Sequence, residues 1–194
     1  MEPISLSSVT SLTGHEQDDL RQLARDSIRH GLTHGKALDV NASDYSDPLQ
    51  RQRATFVTLE LGGTLRGCIG TLEAHRPLAV DVASNAYAAA FSDPRFPPLD
   101  ENEFQRLDIH ISILTPSEPL LFNGEEDLLE KIRPGIDGLI LSEGYRRGTF
   151  LPSVWESLPN PEQFLQHLKL KAGLPADYWS DQIEIERYTT ELIE

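Results

Sequence analysis

The stretch TLRGCIGT, residues 64–71, holds the only cysteine of the chain, Cys68, two residues after Arg66. A cation beside a thiol favours the thiolate, the form that attacks electrophiles. A regular strand would place Arg66 and Cys68 on one face, about 6–7 Å apart along the backbone. A nucleophilic thiol also needs a proton acceptor. His75 is the candidate base, with His110 and His167 as the other histidines in view and Glu73 and Asp93 as orienting carboxylates. The competing reading is packing, because free cysteine is among the residue types most often buried.

A second group of polar residues sits in DPRFPP, residues 93–98. Prolines fix φ and hold neighbouring side chains in place at low entropic cost. Arg95 could therefore clamp a carboxylate or phosphate through its planar fork, or close a salt bridge with Asp93 that pins the loop. Arg146 and Arg147 form a compact basic spot that also reads as a solvated hairpin turn. No Gly-rich phosphate loop, HExxH or GxSxG is present, and His, Asp and Glu are scattered. Metal binding could draw only on those scattered groups, so no metal site is assigned, and the sequence leaves the cofactor open.

The chain has 194 residues, of which 39% are hydrophobic and 25% charged, enough for one sizeable core or one domain with a smaller lobe. Asp and Glu number 31 against 17 Lys and Arg, a formal charge of -14. That balance argues against nucleic acid, whose binding draws on clustered Lys and Arg. A single cysteine makes no internal disulfide, which points to the reducing cytoplasm. The first residues lack a basic segment followed by an apolar one, so no signal peptide is read, and no apolar run reaches membrane-spanning length.

These groups must be carried by regular elements. Thr13 and Glu16 form a capping box for a helix with Leu20, Leu23, Ala24 and Ile28 on one face and Gly31 as its stop. Residues 33–53 read as a long surface connection. A β-hairpin over residues 54–71 turns at Gly62 and Gly63, and a helix starts at Pro77 and runs to Phe91. Residues 107–116 alternate as a strand, and a short helix spans 125–132. Strands follow near 137–144 and 146–152, then a helix capped by Asn160 and stopped by Gly173, then a single strand over 182–193. The pattern predicts an α+β fold with a mainly antiparallel sheet and flanking helices.

A two-residue hairpin loop predicts that Leu61 faces Thr64, Leu59 faces Arg66 and Val57 faces Cys68. That register sets an arginine among aliphatics, a costly arrangement unless it is paired. Either a bulge near Gly67 shifts the register or Arg66 lies at a rim. Gly67 and Gly70 favour special geometry, a bulge or the close approach of another backbone or a ligand.

In GGTLRGCIGTLEAHRPLAVDVASNAYAAAFSDPRFPPL, LDIHISILTP, GIDGLILSEGYRRGTFLPSVWE and FLQHLKLKAGLP, in that order, the chain resembles the AMMECR-one domain family. It looks like a bacterial single-domain member, matched over roughly residues 15–192 after a short N-terminal tail, with LRGCIG as the signature. The resemblance implies a larger and a smaller lobe with the signature strand lining a cleft between them. It also implies Arg66, Gly67, Ile69 and Gly70, with Asp93 and Arg95, as contacts to a small molecule, peptide or partner around Cys68. At His110 the chain departs from the family, which often carries an acidic residue there. Memo-type and radical SAM proteins are the partners implied. The expected function is an enzyme or enzyme component using the LRGCIG strand, with a peptide- or partner-binding module holding a structural cysteine as the alternative. The resemblance fixes no reaction.

Overall fold

Thr13 accepts the Glu16 amide and Glu16 reaches back to the Thr13 amide at 2.8 Å, so the predicted capping box opens the first helix, α1 (Gly14–His34). Gly31 does not end it. That glycine is buried against α3 (Leu78–Phe91), where a Cβ would come within 2.4 Å of the Phe91 ring, and Gly35 supplies the left-handed cap at φ 68°. The predicted connection after α1 contains a 3-10 turn at Ala42–Asp44 and a short helix, α2 (Asp47–Gln50).

The protein is described by a computed structural model over residues 11–194, and the expected N-terminal tail lies largely outside the described residues. Two compact units emerge among the described residues: one includes residues 11–115 together with Glu191–Glu194, the other Pro116–Thr190. The first holds β1 (Thr55–Leu61), β2 (Thr64–Gly70), α3, a short α4 (Glu101–Phe104) and β3 (Leu107–Leu114). The second holds β4 (Glu118–Pro119), α5 (Gly124–Lys131), β5 (Gly138–Glu143), β6 (Arg146–Phe150), α6 (Pro161–Lys171) and β7 (Glu184–Tyr188). The predicted last strand is two strands, because β8 (Thr190–Ile193) leaves the second sheet and joins the first. Sheet orders are β2-β1-β3-β8 and β4-β7-β5-β6, with antiparallel β1–β2, β1–β3, β5–β6, β5–β7 and β4–β7 pairs. The fold is α+β.

In the first unit, Val57, Leu59, Ile111 and Ile113 pack with Leu20, Ile28, Val82 and Ala86 of the helices. A buried polar network locks α3 onto β1: Asp81 accepts the Thr55 amide at 3.0 Å, the Thr55 hydroxyl at 2.7 Å and the Arg76 guanidinium at 2.7 Å. Asn85 donates to the Thr55 carbonyl at 3.1 Å. Each buried acceptor is met, so the network fixes the helix on the sheet at little desolvation cost. In the second unit, Trp155 stacks on Phe164 at 3.7 Å and donates to the Asp137 carbonyl at 2.8 Å.

Candidate functional site

The hairpin turns where predicted, with Gly62 and Gly63 at positive φ and Leu61 facing Thr64. Beyond the turn the regular register fails. Glu60 faces Leu65 and Leu59 faces Gly67, which leaves Arg66 as the extra residue of a β-bulge. The cause lies on the helix side. Gly67 is turned to α3, where a Cβ would stand 2.2 Å from the Ala89 carbonyl oxygen, so only glycine admits so close an approach. The bulge moves Cys68 opposite Thr58 instead of Val57, onto the face turned away from the helices.

Arg66 turns inward. Its Nε and Nη2 make a two-pronged pair with Glu103, both contacts at 2.8 Å, and Nη2 also donates to the Pro97 carbonyl at 2.9 Å. The side chains are 8% and 24% exposed, so the pair is largely withdrawn from water. Hydrogen bonding to Glu103 raises the Arg66 pKa against the opposing effect of burial, and the same contact lowers that of Glu103. Glu103 is presented by the capping box of α4, in which Asp100 accepts its amide at 2.9 Å. Arg66 thus ties the bulge to the Pro-rich loop and α4.

The cation that reaches Cys68 is Arg95, through the backbone. Asp93, just beyond the C-terminus of α3, accepts the Cys68 amide at 2.9 Å and the Arg95 Nε and Nη2 at 3.0 and 2.7 Å. Arg95 Nη2 also reaches the Cys68 carbonyl at 3.4 Å. Both outward backbone groups of Cys68 on edge strand β2 are therefore met by side chains, much as a neighbouring strand would meet them. Asp93 is 2% exposed, and the Arg95 side chain 54%. The Arg95 contact and the Cys68 amide outweigh burial and hold the Asp93 carboxyl far below its ordinary range. Hydrogen bonding to Asp93 raises the Arg95 pKa against the opposing effect of burial. Both guanidinium groups lie over the Phe96 ring, at 5.6 Å for Arg66 and 5.5 Å for Arg95.

Cys68 is half-buried, with its Sγ 3.3 Å from the Thr58 hydroxyl. Because the Cys68 amide points outward, Thr58 directs its own backbone groups toward β3, where His110 is its partner. Cys68, Thr58 and His110 form one cross-strand row, and Glu60 Oε2 lies 3.6 Å from His110 Nε2.

The expected base His75 is elsewhere. It is exposed, its Nδ1 pairs with the Glu73 carbonyl at 2.9 Å, and the adjacent Arg76 carbonyl accepts the Arg53 amide. Arg53 precedes Thr58 by five residues, roughly 17 Å along an extended chain, so the turn after β2 carries His75 out of hydrogen-bond reach of Cys68. Of the expected contacts, Gly67 and Ile69 face the helix-packed side, and Gly70 sits where a Cβ would come within 2.3 Å of the Phe56 ring and the Thr55 carbonyl. Thr58, Glu60 and Glu103 were not legible as members of the site, although the Asp100–Glu103 capping spacing was available in the sequence.

A separate groove of about 450 Å³ lies between α1 and the start of β3, with Arg21, Arg25 and Asp108 on its walls, and none of its lining comes from β2 or residues 93–98. No group of three or more His, Cys, Asp or Glu among the described residues is arranged to hold a metal. No helix among them is long and apolar enough to cross a membrane.

Fold and site define a class: an α+β protein of two units in which a thiol-bearing edge strand is clasped by a proline-rich loop. The AMMECR1 family model matches residues 21–193, and the chain belongs to that family. A protein of Methanothermobacter thermautotrophicus is 37% identical over 187 residues, 93% of this chain and 95% of its own length. One from the bacterium Thermotoga maritima is 39% identical over 166 residues, 84% and 90% of the two chains. The crystal structure of the uncharacterized protein PH0010 from Pyrococcus horikoshii is similar at a TM-score of 0.85 and 33% identity, covering 93% of this chain and 92% of that one.

Proposed function

We propose that the protein is an enzyme or enzyme component that works through the Cys68 thiol. The observation that carries this reading is a half-buried thiol with the guanidinium of Arg95 in electrostatic reach, itself oriented by the buried Asp93. Thr58 contacts the sulfur, and His110, 3.6 Å from Glu60, stands on β3 in the same cross-strand row. Arg66, Gly67, Ile69 and Gly70 act as positioning residues: Arg66 by anchoring the loop that bears Asp93 and Arg95, the others by shaping β2 against α3 and β1. The reading takes LRGCIG as the family signature and the chain as a bacterial, cytoplasmic member; the single cysteine supports that compartment. Its pathway partners are Memo-type and radical SAM proteins, supported by family membership.

The test is alkylation of Cys68 in the folded protein, followed by mass spectrometry. Modification on the timescale of an exposed thiol, slowed by Arg95→Gln, supports thiol chemistry. Modification that waits for unfolding refutes it. The contact between the Cys68 sulfur and Thr58 favours one other reading, a partner-binding module with a structural cysteine. Copurification of a partner that survives Cys68→Ser would select it.

A further inference from the structure

Arg95 offers more than a nearby charge. Its Nε and Nη2 are committed to Asp93 and to the Cys68 carbonyl, while Nη1 makes no hydrogen bond within the protein among the described residues. The side chain is 54% exposed, whereas its counter-ion Asp93 is 2% exposed and lies behind it. Phe96 underlies the guanidinium at 5.5 Å, so the plane of the fork is fixed from two directions. Asp93 is the carboxylate paired with it. In a chain of formal charge -14, this is a half-exposed guanidinium with an uncommitted donor, bonded to the backbone of the residue that carries the thiol.

We propose that the substrate group presented to Cys68 is anionic, a carboxylate or a phosphate bound at the free Nη1 edge of Arg95. A fork already held in its binding orientation loses little entropy on meeting an anion. The proposal rests on the thiol reading above and adds the substrate class to it.

The test compares two electrophiles of nearly the same size, iodoacetate and iodoacetamide. Each forms the same S–C bond, expels iodide and releases the thiol proton to solvent; they differ in charge. In the folded wild type, the iodoacetate-to-iodoacetamide rate ratio should exceed that of Arg95→Gln by about two- to fivefold, the scale of one exposed ion pair. The excess should shrink as salt is raised, and Arg95→Lys should keep part of it. Malonate and inorganic phosphate are then added as competitors, and whichever slows iodoacetate names the anion. Equal ratios in wild type and Arg95→Gln, with both reagents reacting, overturn the anion assignment and leave the thiol reading intact. If neither reagent modifies the folded protein, the thiol reading fails and the assignment with it. Should Arg95→Gln unfold, as a melting curve would show, Arg95→Lys and the salt dependence of the wild-type ratio decide, and a salt-insensitive ratio overturns the proposal.

Discussion

Replacing Glu103 by alanine would strand a guanidinium inside the protein. Arg66 is 8% exposed, its Nη1 has no hydrogen-bond partner among the described residues, and without Glu103 its remaining side-chain hydrogen bond is to the Pro97 carbonyl. Breaking one side of a buried pair costs about 3–5 kcal/mol, because the remaining charge is left uncompensated. For a chain of this size each kcal/mol moves the melting temperature by about 2–4 °C, so Glu103→Ala should melt about 6–20 °C lower. The same logic makes the apolar replacement of both partners, Arg66→Met with Glu103→Met, far milder than either single change. Thermal melting of the two single variants and the double variant, read by circular dichroism, gives the coupling. Cys68 alkylation in each folded variant shows whether the site survives. The reasoning fails if Arg66→Met slows alkylation by tenfold or more while melting as wild type does, for then the guanidinium serves the chemistry directly.

Three other outcomes follow from the geometry. Gly67→Ala should destabilise the protein by about 3 kcal/mol or more, since its Cβ meets the Ala89 backbone oxygen at 2.2 Å and neither backbone can yield; urea denaturation measures it. Asp93 has a folded-state pKa depressed below its ordinary 3.8, so its contribution is complete above about pH 4 and lost as pH falls through the depressed value. Melting temperature against pH should drop steeply in that acid range, and Asp93→Asn, already destabilised at neutral pH, should show a shallower drop. His75→Gln should leave the rate of Cys68 alkylation at neutral pH unchanged, since the turn after β2 carries that ring away from the sulfur; stopped-time mass spectrometry checks it.

What the sequence could reveal divides along local and non-local causes. Thr13, Asn160 and the Gly62–Gly63 turn act within a few residues of themselves, and each element they mark is found where expected. The bulge at Arg66 was foreseen only as one way out of a register conflict. Its cause is the approach of Ala89 on α3, twenty-two residues later than Gly67, and no local pattern encodes that distance. The same non-local packing moved the thiol to the Thr58 face, exchanged Arg66 for Arg95 as its cation, and brought His110 into the row instead of His75. Residue type alone marks Gly31 as a helix stop, although close packing on Phe91 asks for the same residue. The division of residues 182–193 between two sheets was likewise hidden, because alternation marks an extended chain and does not say which neighbour it pairs with.

The central claim is that the Cys68 sulfur is a working thiol and not a packed one. Timed alkylation of the native protein by iodoacetamide at neutral pH, with Arg95→Gln beside it, tests this most directly. The account predicts modification of the folded wild type at least as fast as that of an unstructured cysteine peptide, and slower modification of the variant. Modification only at the rate of unfolding, equal in both proteins, would contradict it.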